Sequence, residues 1–346
     1  MISKEETKQI QGAAILAMCC LHLFCTLTPQ FTPLIYVSGV PLTYFFGQAA
    51  DYCVMAYCFC SGYGLMACYT ACQENGKPYF RGRCKSLLRF LQNYWIILFL
   101  FAGVSLLIGK GETWLGSPLV FLGNFATLWS SYNGAWWFVS TYLFMVLLSP
   151  LVFRWMQKYP KLVGLLSIPV YVISYLVRFK EDQSFFIQHL VLLGMSYAEL
   201  MIGAYFYQYR CMERISKCWN RIMPARWRIP VLTLLAVMVI VVRRFAATLF
   251  VAPISGLVFI VSYLLAVREK PWIGKPFAYL GKHSMNIWLV HMFFYMPQYG
   301  GISYYAKYPL AVLFLLLLLS ILASYCVKAL QSGVDALQNV ARKRKP

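Results

Sequence analysis

Four side chains stand inside hydrophobic runs where ionisable groups are rare: His22, Asp51, Glu199 and His291. Such groups are expensive at membrane depth, so each marks either function or a hydrogen bond between packed helices. A histidine beside a carboxylate can take a proton from a hydroxyl, because imidazole titrates near neutral pH and the carboxylate fixes its tautomer. His22 or His291 with Asp51 has the composition for that chemistry, and either histidine could equally be a packing residue. Nucleotide-driven and protease chemistries lack their sequences: there is no Walker A loop, no HExxH, no GxSxG elbow and no GxGxxG after a strand. No metal site is expected, since Cys58 and Cys60 are too close for a zinc framework and acidic residues are few.

The elements that must position these residues are membrane helices. The chain has 346 residues, a mean hydropathy of +0.62, 60% hydrophobic and 12% charged residues. A soluble domain carries roughly 25% charged residues and could not hide so much apolar surface. Apolar runs of about twenty residues, enough to cross roughly 30 Å of hydrocarbon as helix, recur between charges. The reading is an all-α polytopic protein with about ten transmembrane helices, near 10–27, 42–70, 88–108, 134–153, 162–178, 186–208, 229–242, 246–267, 277–297 and 309–328. The second is longer than one crossing needs and is expected to tilt, to kink near Gly62 and Gly64, or to extend beyond the bilayer. At about 1.5 Å per residue, His22 and His291 each lie roughly 18 to 21 Å above the inner boundary. Asp51 enters its span from the outer end, and Glu199 lies deeper, towards the cytoplasmic half.

Charge fixes the orientation. The net charge of +20 would suit nucleic acid, but its distribution follows the membrane instead. With the N-terminus inside, only Lys110, Arg178, Lys180, Arg243, Arg244 and Lys307 fall outside, leaving 25 of 31 basic residues on the cytoplasmic face. Both termini are therefore expected in the cytoplasm, with the basic excess topogenic and in contact with inner-leaflet lipid.

The twelve cysteines lie mostly in apolar stretches, where a thiol behaves as a small hydrophobe, and no structural disulfide is expected. The N-terminal segment reads as a retained first helix. Residues 1–346 read as a single membrane domain without a soluble module. Trp114, Trp129 and Tyr132, and the segment Pro297 to Tyr308, place aromatic and amide groups outside, which suits sugar rings and equally suits an interfacial aromatic belt.

Four segments, in order, carry a resemblance. Gln11-Gly-Ala-Ala-Ile-Leu-Ala-Met-Cys-Cys-Leu-His22 begins it, and Arg81 to Trp95 gives a basic run followed by a Tyr-Trp pair. Trp136-Trp-Phe heads a helix that reaches Pro150, and Leu280-Gly-Lys-His-Ser-Met-Asn-Ile-Trp-Leu-Val-His291 is the most specific; Phe59-Cys-Ser-Gly-Tyr-Gly64 adds to them. Together they resemble the acyltransferase-3 family, ten-helix membrane enzymes that acylate surface glycans. The resemblance implies that His22 is the essential histidine and that the family's arginine or lysine at position 11 is replaced by Gln11. It further implies that Arg81, Arg83, Lys85 and Arg89 bind the acyl-coenzyme A donor, although topogenic charge alone would also place them there.

By this resemblance the chain is expected to be an O-acyltransferase, most simply an acetyltransferase, of the plasma membrane. It would carry an acyl group from cytoplasmic acyl-CoA to a hydroxyl of a cell-surface or lipid-linked glycan. His22 would deprotonate the acceptor or carry the acyl group itself, with Asp51 and His291 as further catalytic candidates. The alternative is a transporter-like use of the same scaffold, moving a small amino acid or a glycan without acyl chemistry, and Gln11 is its best support.

Overall fold

A computed structural model describes residues 1–246 and 249–343; the side chain of Arg244 and the Arg344–Lys345 end of the basic tail lie outside the described residues. Among the described residues the protein is all-α apart from one hairpin. In chain order the elements are α1 (Lys4–Phe24), β1 (Tyr36–Val37), β2 (Val40–Pro41), α2 (Leu42–Ala49), α3 (Cys53–Glu74), α4 (Tyr79–Leu107), α5 (Gly111–Leu115) and α6 (Pro118–Phe125). They continue with α7 (Trp137–Lys158), α8 (Pro160–Arg178), α9 (Phe185–Gln208), α10 (Cys211–Ile222), α11 (Ala225–Phe245), α12 (Ala252–Glu269), α13 (Gly274–Val290), α14 (Met292–Tyr295) and α15 (Pro309–Lys343).

Eight helical segments among the described residues are long and apolar enough to cross a membrane: Leu42–Glu74, Tyr79–Leu107, Gly134–Lys158, Pro160–Arg178, Phe185–Gln208, Ala225–Arg243, Ala252–Glu269 and Pro309–Gln338. The other two expected spans fall on α1, whose first turns hold Lys4, Glu5, Glu6 and Lys8, and on α13, which has 17 residues. These are the two helices that lead to His22 and His291.

Contacts divide the chain into two compact units. The first holds 1–29, 33–81 and 141–284, and the second holds 30–32, 82–140 and 285–346, so α4, α7 and α13 have residues in both.

In the first unit, α3 packs along α9, α8 lies on α9, and α1 lies on α2 and α3. The α3–α9 crossing is close because glycine faces backbone on both sides: a Cβ on Gly62 would overlap the Leu200 carbonyl, and one on Gly203 would overlap that of Phe59. The long second span is not interrupted at Gly62 or Gly64, where α3 is continuous. The span instead breaks at a 3₁₀ turn, Ala50–Tyr52, and Gly62 serves the crossing inside an unbroken α3. The β1–β2 hairpin pairs Tyr36 with Pro41 and Val37 with Val40, and its turn puts both Ser38 and Gly39 at positive φ, as a two-residue hairpin turn requires.

In the second unit, α4 carries Asn93, whose amide donates to Asn286 Oδ1 at 2.8 Å, while Asn286 donates to Ser324 Oγ of α15 at 3.0 Å. Buried amides joined this way satisfy part of one another's hydrogen-bonding capacity, and Asn93 Oδ1 is left without a partner. The expected span 277–297 is not one helix: α13 ends at Val290, and His291 separates it from the four-residue α14.

Candidate active site

His22 lies in the last turn of α1, two residues before that helix ends. What surrounds this end is set by α2. The α2 backbone at Gly47 comes so close to Phe24 and Cys25 that a side chain would overlap main-chain atoms. One turn later the chain enters the 3₁₀ turn that holds Asp51, and this turn packs on α1. The α1 end bearing His22 and the turn bearing Asp51 are thus held against each other by backbone contact.

The Asp51 carboxylate is not given to a histidine. Arg243, in the last turn of α11, donates to Asp51 Oδ2, and both side chains are buried, at 3% and 7% exposure. Arg243 Nη1 also donates to the Ala246 carbonyl, so the guanidinium is clamped across the helix end, and Asp51 Oδ1 accepts no hydrogen bond. Cys25 lies close enough to feel both charges. Arg243 stood in the sequence as an external charge beyond a span ending near 242. Its buried position follows from a partner 192 residues away, which no local pattern displays.

His291 is fully buried in the second unit. Its Nδ1 is 2.8 Å from the Trp288 carbonyl and 3.1 Å from that of Ile287. A ring nitrogen facing carbonyl oxygens carries the hydrogen, which leaves the lone pair on Nε2 and fixes the ring by its own helix. The break beside it is capped by side chains of the resembling segments. The Leu289 carbonyl accepts from Trp136 Nε1 at 2.9 Å and from Asn133 Nδ2 at 3.0 Å, and Trp288 Nε1 returns a bond to the Ala135 carbonyl at 3.0 Å. Tyr94 stands edge-on to Trp136 and donates to the Asn124 carbonyl at 2.6 Å. The Tyr-Trp pair, the Trp-Phe segment and the end of the His291 segment therefore meet in one network whose effect is to hold the histidine's turn.

Arg81, Arg83, Lys85 and Arg89 lie on α4 itself, which begins at Tyr79 and not near 88. Spacing by four puts Arg81, Lys85 and Arg89 on one exposed stripe, with Arg83 half-buried off it. Arg89 donates to Asp335 of α15 at 2.9 Å. Exposed guanidinium and ammonium groups in a row suit phosphate oxygens. Gln11 is half-buried, and Lys8 Nζ donates to its Oε1 at 3.0 Å, so a cation stands one turn from position 11.

The fold is that of a multi-pass helical membrane protein whose candidate chemistry gathers at helix ends. The chain belongs to the acyltransferase-3 family, described as an acyltransferase domain, which matches residues 8–329. No curated protein and no solved structure matches it. Family membership suggests acyltransferase activity in a membrane.

Proposed function

We propose that this protein transfers an acyl group, most simply acetyl, from cytoplasmic acyl-CoA to a hydroxyl of a cell-surface or lipid-linked glycan. The observation that carries the reading is the family match through both the His22 and His291 segments. In this reaction the acceptor oxygen bonds the thioester carbon, the carbon–sulfur bond breaks, and the hydroxyl proton ends on the departing sulfur. His22, at the end of α1, is the base or the transient acyl carrier. His291, with Nδ1–H committed to its own helix, offers Nε2 as a second acceptor of protons or hydrogen bonds. The Asp51–Arg243 pair positions the α1 end, and the α4 stripe with Arg83 holds the donor phosphates, which would compete with Asp335 for Arg89.

The test is transfer of labelled acetyl from acetyl-CoA to a surface-glycan extract by purified protein in lipid vesicles. His22→Ala should lose transfer by about 100-fold or more. Equal transfer by mutant and wild type would remove His22 from the chemistry. Gln11 favours the second reading, a transporter on the same scaffold, and solute flux into the same vesicles independent of acyl-CoA would establish that reading instead.

A further inference from the structure

The stretch between His22 and Asp51 carries no charged residue. Other connections on the same side of the membrane do, with Lys110 and Glu112, Lys180 to Asp182, and Lys307. The uncharged stretch contains the β1–β2 hairpin, whose base is tied to α2 by the Leu42 amide, which donates to the Ile35 carbonyl at 2.9 Å. Successive strand residues point to opposite faces, so Tyr36 lies on one face of the hairpin and Val37 on the other. Neither face is covered: Leu34, Ile35, Tyr36 and Val37 are between 45% and 66% exposed. A hairpin in water turns an apolar face to a core and a polar face outward. This one is open and apolar on both faces, which marks a surface that meets apolar surroundings.

The position of the hairpin says which surroundings these are. The segment Leu42–Glu74, long and apolar enough to cross a membrane, begins at the residue that closes the hairpin, so the two strands stand at the membrane boundary. Their unpaired edges keep them out of the hydrocarbon core, where no water could satisfy the backbone, and leave the headgroup level, where tyrosine is enriched. The same segment is fastened to the end of α1, because the α2 backbone at Gly47 abuts Phe24 and Cys25, two and three residues past His22. We propose that the hairpin lies in the outer-leaflet interface and that the α1 end beside it takes its acceptor from the membrane surface, as a glycan still linked to lipid. A lipid-anchored acceptor is confined to the layer in which the hairpin lies and meets the α1 end at high effective concentration, which a released chain does not. The choice of acceptor rests on the acyl-transfer reading with His22 at its centre; the seat of the hairpin in lipid does not.

A photoreactive phenylalanine analogue in place of Tyr36, in vesicles of phosphatidylethanolamine and phosphatidylglycerol, should form a phospholipid adduct that mass spectrometry identifies. Leu34→Glu combined with Ile35→Glu changes only exposed positions and should remove most of that adduct. In the acetyl-transfer assay the wild type should favour lipid-linked glycan over the same glycan released by mild acid by about tenfold or more in kcat/KM, mainly through KM. The double variant should lose about tenfold on the lipid-linked form and nothing on the released form. Absence of a lipid adduct, or a crosslink to a second copy of the chain in its place, would overturn the interfacial seat and the acceptor choice with it. Equal transfer to both glycan forms, or a double variant that loses both alike, would overturn the acceptor choice. If neither form is acylated from any CoA donor while the adduct forms, the acyl-transfer reading has failed and the acceptor choice falls with it. The hairpin would then be an interfacial anchor and nothing more.

Discussion

Arg243 and Asp51 sit together where neither is covered by water, and the energetics of such pairs are lopsided. Two ions taken from water attract strongly at close range, but each loses hydration, so the pair as a whole stabilises little, whereas removing one partner strands the other. Arg243→Gln or Asp51→Asn should each destabilise the protein by about 3–5 kcal/mol. The double substitution should cost clearly less than the sum, a difference that a double-mutant cycle in detergent denaturation would read. A surface pair would instead give additive effects under about 1 kcal/mol. A second ion pair involves Glu6, which precedes the first expected span at 10–27, and responds to pH. Glu6 closes a capping box with Ser3 at the start of α1 and accepts from Arg268 Nε at 2.6 Å. Burial raises its pKa, but the hydrogen bond from Arg268, the Ser3 amide and the guanidinium charge outweigh it, leaving the carboxyl below its ordinary range. A carboxyl lowered on folding adds stability that is present in full above its unfolded pKa and disappears as pH falls through the folded one. Glu6→Gln should therefore melt below the wild type at neutral pH, and the gap should close on acidification below the ordinary glutamate range.

At the scale of elements, the glycines of α3 divide by what they face. Gly62 meets the Leu200 backbone, and Gly64, two residues on, meets nothing within 4 Å. Gly62→Ala should force α3 and α9 apart and sharply lower the yield of folded protein, while Gly64→Ala should be tolerated or slightly stabilising through its better helix propensity. Comparing monodisperse yield and melting temperature of the two variants checks this, and equal behaviour would mean that the crossing is not held by backbone contact. The sequence displayed both glycines alike, since a close crossing depends on a second helix more than a hundred residues away. Most spans were legible because length and apolarity are local properties. The breaks at Ala50–Tyr52 and at His291 were not, because apolar residues flank them on both sides with no proline or glycine at the break. What makes the breaks stable is distant: Arg243 for Asp51, and Trp136 and Asn133 for the turn after Val290. The histidines themselves were legible because few imidazoles occur in the chain and these two lie in apolar runs.

For the whole molecule, orientation turns on α1, whose first turns carry four charges, and on α13, which has 17 residues. If both cross, the number of spans is even and both termini share a side. If neither crosses, the number is still even, so the location of the termini alone cannot decide. The loops can. With the N-terminus inside, omitting α1 as a span reverses every connection from α3 onward and would put Lys77, Arg154 to Lys161 and the Arg210 to Arg228 connector outside, against the bias that retains basic loops in the cytoplasm. Met1 pairs with Glu213 of that connector and Glu6 with Arg268, so if the positive-inside bias holds, the start of α1 lies at the inner face and α1 is expected to cross. The expected result is that an epitope inserted after Met223, between α10 and α11, is reached by antibody only after permeabilisation. One inserted after Gly300, between α14 and α15, should be reached on intact cells. The reverse pattern would mean that α1 does not cross, and His22 would then lie on the opposite side from an external acceptor. Two inaccessible epitopes would place the fault at α13, and the turn of His291 would then be a re-entrant end in place of a crossing.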